Sequence, residues 1–174
     1  MVEVRLRHFV HDRAEFRLAE CLSELSPAAA LDASARGLSF REDAGDETVA
    51  IEADRSILTA VVANLLQNAF TFTRASTTVL LRGSATADRA VIEIEDECGG
   101  LPEGGVNELF SPYEQRGADR TGLGLGLAFC RWGAEANNGR IYARSLPEHG
   151  CVFTLNLPRV RTDLVAISPL SLST

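Results

Sequence analysis

The sequence of 174 residues contains no lysine, so all 17 of its basic residues are arginine. A phosphate-binding loop of the G-x-x-x-x-G-K-[ST] type requires its lysine, and so does the eukaryotic protein kinase fold. Any nucleotide chemistry in this chain must therefore use another fold. The 24 acidic residues outnumber the basic ones and give a net charge of −7. This balance argues against a protein that coats nucleic acid, because no basic face dominates.

Cysteine is scarce, and long apolar runs are missing. Cys21, Cys98, Cys130 and Cys151 form no C-x-x-C pair, so the spacing indicates neither a zinc knuckle nor a disulfide framework, and we expect small buried hydrophobes. No run of about 18 apolar residues is present, and the first residues do not resemble a signal peptide. We therefore expect a cytoplasmic, soluble domain without membrane contact by this segment. Its 45% hydrophobic content is enough for a core.

Hydrophobic periodicity and turn residues predict a mixture of helices and strands. The clearest helix begins after Asp54, a good N-cap residue, and runs over 55–72 with an apolar stripe. A second helix begins near Leu123 and ends at Asn138 and Gly139. Strands are predicted at 37–40, 48–52, 77–82, 90–95, 140–145 and 151–157. The mixture favours an α/β (α+β) two-layer sandwich, with helices on one face of a mixed sheet.

The remaining segments are less regular. Residues 14–25 fit either a strand or the start of a helix that continues to Arg36, and 41–47 reads as a charged turn. Residues 96–122 are too long for a simple connector and rich in glycine and charge, which predicts a functional loop or lid. We expect three parts in the chain. They are an N-terminal arm at 1–13, one domain at 14–158 and a tail at 159–174.

Three motifs carry candidate chemistry, and the first is a pair of asparagines. Asn64 and Asn68 are four residues apart, so they share a face of the predicted helix. Asparagine carbonyls are hard oxygens suited to a Mg²⁺ that triphosphate oxygens also hold. The alternative is two solvated surface amides.

The second and third motifs are rich in glycine. Asp96 ends a predicted strand before Gly99 and Gly100, where its carboxylate could accept a hydrogen bond from the exocyclic amine of adenine. The alternating glycines at 122–126 open a helix, whose bare N–H groups form a phosphate cradle. This is not the dinucleotide fingerprint, because Leu127 stands where a glycine is needed. Alone, each motif has a plain alternative: an acidic turn, or tight helix packing.

In this order, the motifs resemble the catalytic ATP-binding domain of bacterial sensor histidine kinases, in the Bergerat-fold ATPase superfamily. The resemblance covers roughly residues 16–158. The matching segments are 64–69 for the N box, 96–100 for the first glycine box, 110–113 for the F box, 122–127 for the second glycine box and 139–155 for the closing strands. The resemblance implies a mixed, mostly antiparallel sheet covered on one face by helices, with an ATP lid.

The resemblance also implies a function. Such a domain binds Mg-ATP and donates the γ-phosphate to a histidine on a dimerisation and phosphoacceptor domain, in cis or in trans, with a response regulator downstream. Asn64 and Asn68 would be catalytic, and Asn68 would be the metal ligand. The implied nucleotide-binding residues are Asn68, Thr71, Phe72, Asp96, Gly100, Phe110, Arg120, Thr121, Gly122, Leu123, Gly124, Leu125 and Gly126.

Three positions depart from the family pattern. Cys98 replaces the first glycine of D-x-G-x-G and adds a side chain near the expected base pocket. Thr71 stands where the family often has a phosphate-binding lysine, which leaves Arg74 or Arg120 as possible substitutes. Leu123 replaces a hydroxyl residue within the second glycine box.

The asparagine at position 64 separates the chemical alternatives. Hydrolytic relatives and serine kinases of the superfamily carry a glutamate there, which accepts a proton from water or a hydroxyl, whereas an amide cannot. A histidine acceptor needs less help, because neutral imidazole is already a nucleophile. His8 and His11 lie outside any recognisable phosphoacceptor motif, so we expect the acceptor on another domain. The second hypothesis is a nucleotide-binding or degenerate regulatory module that acts through protein contacts without phosphotransfer.

Overall fold

The fold is taken from a computed structural model, which describes residues 12–101, 109–110 and 125–161. Within these ranges the chain forms a five-stranded sheet, a separate strand pair and three helices that cover one face of the larger sheet. The strands are β1 (Arg13–Arg17), β2 (Ser39–Asp43), β3 (Ala50–Asp54), β4 (Thr78–Ala85), β5 (Arg89–Asp96), β6 (Arg140–Leu146) and β7 (Gly150–Pro158). The helices are α1 (Leu18–Ala35), α2 (Arg55–Phe72) and α3 (Gly126–Ala136).

The larger sheet is mixed and mostly antiparallel, as the resemblance implies. Its strand order is β2-β4-β5-β7-β6, and only the β2–β4 pair is parallel. The central strand β5 alternates in burial, with Ala90, Ile92, Ile94 and Asp96 on the side that faces the helices. Three of these four side chains are apolar, so Asp96 is a carboxylate at the end of an otherwise apolar row.

In the described parts of the chain, no helix covers the opposite face of the sheet, and this open face carries charge. Arg82 lies 3.8 Å from Asp43 on the neighbouring strand β2, and Arg144 on β6 lies 3.9 Å from Glu93 on β5, across the intervening strand β7. These long, exposed pairs contribute little to stability. Their presence shows that this face does not belong to the core.

Helix α2 has the bounds that the sequence predicts. The Asp54 side chain accepts a hydrogen bond from the Ile57 N–H at 3.1 Å, as expected of an N-cap residue. The apolar stripe of α2 is fully buried against the sheet, with Leu58, Val62 and Leu65 at most 1% exposed. Burial of this stripe fixes the rotation of α2, so the asparagines lie about a quarter-turn from the stripe and Asn64 lies beside the first turn of α3.

A buried amide joins the start of α2 to the end of α3. Asn137 is 1% exposed, its Oδ1 accepts from the Asp54 N–H at 2.8 Å, and its Nδ2 donates to the Gly133 carbonyl at 3.2 Å. The next residue, Asn138, has φ 57° and ends the helix in the left-handed conformation that the sequence predicts.

Three local expectations differ from the structure. Residues 14–25 contain both alternatives, since β1 ends at Arg17 and α1 begins at Leu18 and continues through Pro27. The predicted turn at 41–47 begins later, because β2 continues to Asp43 in its pairing with β4. Strand β4 likewise continues to Ala85, paired with β5. In each case strand pairing decides a boundary that local sequence leaves open.

Arg159 and Val160, just after β7, contact strand β3. Arg159 forms a bridge with Ile51, and the Val160 N–H donates to the Ala50 carbonyl at 2.8 Å. Strand β3 is thus paired by β1 and bridged by this segment. No helix in the described parts of the chain is long and apolar enough to cross a membrane.

We predict that Gly133→Ala destabilises the domain by about 1–3 kcal/mol, because a Cβ at this position would overlap the Val61 side chain where α3 packs on α2. Urea denaturation would measure the change. Val61→Ala removes the overlapping methyl groups, so the double variant should lose less stability than the two single variants summed. Additive losses would show that this contact is not the cause.

Candidate nucleotide-binding site

Asp96 is a buried carboxylate held by its neighbours at the end of β5. It is 2% exposed, and its Oδ1 accepts from the Cys98 N–H at 2.9 Å and the Cys151 N–H at 3.2 Å. The Cys151 thiol donates to Oδ2 at 3.2 Å. The pairing of β5 with β7 places Asp96 directly opposite Cys151. The backbone therefore fixes the orientation of this carboxylate.

The turn after Asp96 depends on two glycines with positive φ, 96° at Gly99 and 116° at Gly100. A Cβ at Gly100 would lie 2.9 Å from the Ser145 Oγ, whereas a Cβ at Gly99 would meet nothing within 4 Å. The Ser145 hydroxyl also accepts from the Leu101 N–H at 3.1 Å. The turn thus approaches β6 closely at Gly100 and leaves open space at Gly99.

Arg74 fixes the same turn from outside. Its Nε donates to the Glu97 carbonyl at 2.7 Å, and its Nη2 donates to the His149 carbonyl at 3.1 Å. The Gly99 N–H donates to that same His149 carbonyl at 3.1 Å. The sequence offered Arg74 as a substitute for the missing phosphate-binding lysine, but the structure places its guanidinium against backbone carbonyls of the glycine turn.

The two asparagines lie on the face of α2 next to the start of α3. Asn64 is exposed, and its Nδ2 donates to the Ala60 carbonyl at 2.9 Å. Its Oδ1 lies 3.5 Å from where a Cβ at Gly126 would be, so the side chain contacts the first turn of α3. Asn68 follows one turn later and is half-buried. The structure therefore brings Asn64 next to the amino end of the glycine-rich helix, with Asn68 one turn further along α2.

Thr71 and Phe72 lie at the end of α2. The Thr71 hydroxyl donates to the Gln67 carbonyl at 2.8 Å and accepts from the Arg36 Nη1 at 3.5 Å. Arg36 also donates to the Gln67 Oε1 at 2.9 Å and to the Asp32 carboxylate at 2.9 Å. Phe72 is 53% exposed. The cation beside the missing lysine position is thus Arg36, the C-cap residue of α1.

The remaining predicted residues are placed only in part. Phe110 is buried and contacts the Phe153 ring edge-on, with centroids 6.3 Å apart. Leu125 precedes α3 and is 41% exposed, and Gly126 is its first residue. The predicted binding residues Arg120, Thr121, Gly122, Leu123 and Gly124 lie outside the described residues, as does most of the predicted lid.

Comparison with known families settles the relationship that this geometry suggests. A family model described as histidine kinase-, DNA gyrase B- and HSP90-like ATPase matches residues 53–161, more than half of the chain. The chain belongs to this ATPase family. The resemblance read from the sequence motifs is therefore confirmed.

Curated relatives within this ATPase family are sensor kinases. The alginate biosynthesis sensor protein KinB of Pseudomonas aeruginosa is 34% identical over 124 residues, which is 71% of this chain and 21% of that protein. The sensor protein TorS of Escherichia coli is 36% identical over 120 residues, 68% of this chain and 13% of that protein. The chain thus spans less than a quarter of the length of either relative.

Solved structures of histidine kinases share the fold. The catalytic domain of histidine kinase ThkA superposes with a TM-score of 0.76 at 25% identity, covering 84% of this chain and 95% of that one. Full-length ShkA in complex with AMPPNP gives a TM-score of 0.74 at 22% identity, covering 86% of this chain and 32% of that one. This second likeness concerns the fold alone. The predicted Bergerat fold is confirmed.

Two thiols lie beside Asp96 at the end of β5. Burial, with the Asp96 carboxylate as a further cause, raises the pKa of both Cys98 and Cys151. Burial alone raises the pKa of Cys130 to about 12. Cys21, Cys130 and Cys151 are buried, as the sequence predicts, whereas Cys98 is half-buried. The two thiols next to Asp96 are 3.4 Å apart although 53 residues separate them in the sequence.

Sequence reasoning missed Cys151, Ser145 and Arg36 as neighbours of the site. Cys151 and Ser145 reach it only through the pairing of β7 with β5 and β6, and the spacing of residues along the chain gives no sign of that register. Arg36 follows the last residue of α1 and meets α2 through tertiary packing. The only available signal for Cys151 was its place at the start of a predicted strand.

We predict that Arg74→Ala loosens the glycine turn, because it removes two charge-assisted hydrogen bonds to the Glu97 and His149 carbonyls. The Gly99 amide should exchange its hydrogen faster, and stability should fall by about 1 kcal/mol. Hydrogen exchange followed by mass spectrometry or NMR would measure both effects. Arg82→Ala is the control, since the ion pair of Arg82 with Asp43 is 3.8 Å long and exposed. Equal protection of Gly99 in both variants would contradict the anchoring role.

Proposed function

We propose that the chain binds Mg-ATP and donates its γ-phosphate to a histidine on a separate dimerisation and phosphoacceptor domain, as part of two-component signal transduction. The observation that carries this proposal is Asp96, a buried carboxylate oriented by two backbone N–H groups beside a turn of two glycines. A fixed acceptor next to open backbone suits a flat base that offers an amine. The ATPase family and its sensor-kinase relatives agree with it.

The phosphate end of the site is assigned to α2 and α3. Asn64 contacts the first turn of α3, where unpaired N–H groups and the helix dipole favour negative charge. The amide oxygen of Asn68, one turn further along α2, is a hard neutral donor that suits Mg²⁺. When bound, Mg²⁺ would neutralise charge on the phosphates. Arg36 reaches Thr71, but its guanidinium is paired with the Asp32 carboxylate, so it adds little net charge near the end of α2.

The chain's own residues bind and orient the nucleotide rather than act as a base. Asn64 cannot accept a proton, and its Nδ2 is already bonded to the Ala60 carbonyl. A neutral imidazole can attack the γ-phosphorus without a base, forming a P–N bond as the bond to the bridging oxygen breaks and ADP leaves. The proposal also includes an acceptor histidine on another domain, a downstream response regulator and a cytoplasmic location.

A regulatory module without phosphotransfer is the second candidate. The observation in its favour is that the Cys151 thiol occupies the Asp96 Oδ2, with Cys98 alongside. A thiol hydrogen bond is weak and can be exchanged for a stronger donor such as an amine. Failure to bind any adenine nucleotide under reducing conditions would favour this candidate.

We predict that Asn68→Ala weakens Mg-ATP binding at least about tenfold and abolishes phosphotransfer to a supplied dimerisation domain, because it removes an oxygen donor to Mg²⁺. Asn64→Ala should weaken binding less. Titration calorimetry with and without Mg²⁺ measures the affinities. Gln67→Ala is the matched control, since this neighbouring amide bonds to Asp32 and Arg36 instead. Unchanged Mg-ATP affinity in Asn68→Ala would contradict the assignment.

We predict that ATP binds at least about tenfold more tightly than GTP, because guanine would set a carbonyl oxygen against the Asp96 carboxylate, at a cost of about 1–3 kcal/mol. Asp96→Asn should weaken ATP binding and reduce the preference, since an amide can donate to guanine. Competition against a fluorescent nucleotide measures both.

Glu95→Gln is the matched control for this substitution. Glu95 is the adjacent residue of β5 and lies on the opposite face of the sheet, near His149. It should leave both affinities unchanged. Equal affinities for ATP and GTP in the unaltered protein would show that Asp96 does not select the base.

A further inference from the structure

Three potential metal-ligand side chains converge at the end of β5. The Asp96 carboxylate and the thiols of Cys98 and Cys151 each offer one donor atom, and these atoms all lie within 4.8 Å of one another. The Cys98 Sγ is 3.4 Å from the Cys151 Sγ, which in turn is 3.2 Å from the Asp96 Oδ2. Asp96 and Cys151 are 2% exposed, and Cys98 is half-buried and gives access from outside. Among the residues that the structure describes, no other group of this kind is present.

The spacing of these atoms is close to that of a tetrahedral soft-metal site. Bonds of about 2.3 Å to sulfur and about 2.0 Å to oxygen place two sulfurs about 3.8 Å apart and a sulfur and an oxygen about 3.5 Å apart. The Cys98–Cys151 sulfur separation and the Cys151 sulfur to Asp96 oxygen separation need to increase by only about 0.3–0.4 Å to reach these values. The backbone that carries these donors is already fixed by the β5–β7 pairing at one end and by the Arg74-anchored turn at the other.

We propose that Asp96, Cys98 and Cys151 form a binding site for a soft divalent cation of the zinc class. Binding replaces the two S–H bonds by two sulfur–metal bonds and releases two protons, and the carboxylate oxygen supplies the third protein bond. Water completes the tetrahedron, as at zinc sites with three protein ligands. Thiolate ligands select against Mg²⁺, which prefers oxygen donors, so this site differs in kind from the asparagine face of α2.

The shared carboxylate couples the metal to the nucleotide. The Asp96 Oδ1 already accepts from two backbone N–H groups, so Oδ2 is the oxygen left for either a cation held by Cys98 and Cys151 or the amine of adenine. Occupation by zinc should therefore exclude the base, so the proposed site is inhibitory. This consequence, unlike the metal site itself, rests on the proposed function.

Cobalt(II) titration of the fully reduced protein tests the metal site directly. A phosphine reductant keeps the thiols reduced, and cobalt bound to thiolate gives a ligand-to-metal charge-transfer absorption together with intense tetrahedral d–d bands. We expect these bands to saturate at one cobalt per chain and to disappear when zinc is added. Cys98→Ala should remove or greatly weaken the charge-transfer band and lower zinc affinity at least about tenfold.

Two other cysteines provide matched controls. Cys21→Ala and Cys130→Ala each remove a thiol from a part of the core away from Asp96, and both should keep the charge-transfer band. Cys151 is buried, so Cys151→Ala is informative only if its circular dichroism matches the parent. If its circular dichroism differs from that of the parent, the test rests on Cys98→Ala alone. No charge-transfer band in the reduced parent, or an equal band in Cys98→Ala, would overturn the proposal.

Adenosine binding tests the coupling without phosphates, which would themselves bind zinc. NMR would follow adenosine binding. We expect zinc to weaken this binding in the parent and in Cys21→Ala but not in Cys98→Ala. If cobalt gives the expected bands but zinc does not weaken adenosine binding, the metal site stands and the proposed coupling is wrong. No adenosine or ATP binding in metal-free protein would instead contradict the proposed function, and the cobalt result would stand independently.

Discussion

The pairing of β5 with β7 is the constraint on which the candidate site depends. It sets Asp96 opposite Cys151, so one backbone N–H of β7 supports the carboxylate. This pairing requires glycine at position 150, because a Cβ there would collide with the Asp96 carbonyl oxygen. Two strands can approach this closely at their ends only where one side chain is absent. Strand β7 also carries Phe153, whose ring packs edge-on against the Phe110 ring.

A second set of contacts holds the helices in position over that sheet. Asn137 bonds to the Asp54 N–H and to the Gly133 carbonyl, and Gly133 lets α3 lie against Val61 of α2. The Asn137 contacts are buried hydrogen bonds, and the Gly133–Val61 contact is tight apolar packing. Together they bring the start of α3 next to Asn64, so the asparagine face and the glycine-rich helix meet.

Features of this site that rest on local sequence could be predicted from the chain alone. Helix α2 has its predicted bounds because Asp54 caps it and an apolar stripe of fixed period drives its burial. The three motifs and their order identified the ATPase family. Their roles in binding stay predictions, since five of the implied residues lie outside the described parts of the chain.

Features that rest on strand register could not be predicted in this way. The neighbour of β5 is β7 rather than β6, so Cys151 and Ser145 reach Asp96 and Gly100 through pairings that no spacing in the sequence encodes. Arg74 and Arg36 are similar cases. A charged side chain that bonds to distant backbone or amide groups looks, in sequence, like any exposed arginine. Strands β2 and β4 also extend beyond their predicted ends, because pairing with neighbouring strands decides where they end.

The open face of the sheet has a consequence for self-association. Flat sheets with apolar outer faces stack on one another, whereas this face mixes Arg82 and Arg144 with Asp43 and Glu93. If two copies met face to face, charges of both signs would lose their water without lying opposite partners of the opposite sign. Salt screens charges at an exposed surface, so raising the ionic strength lowers this barrier to contact between two such faces.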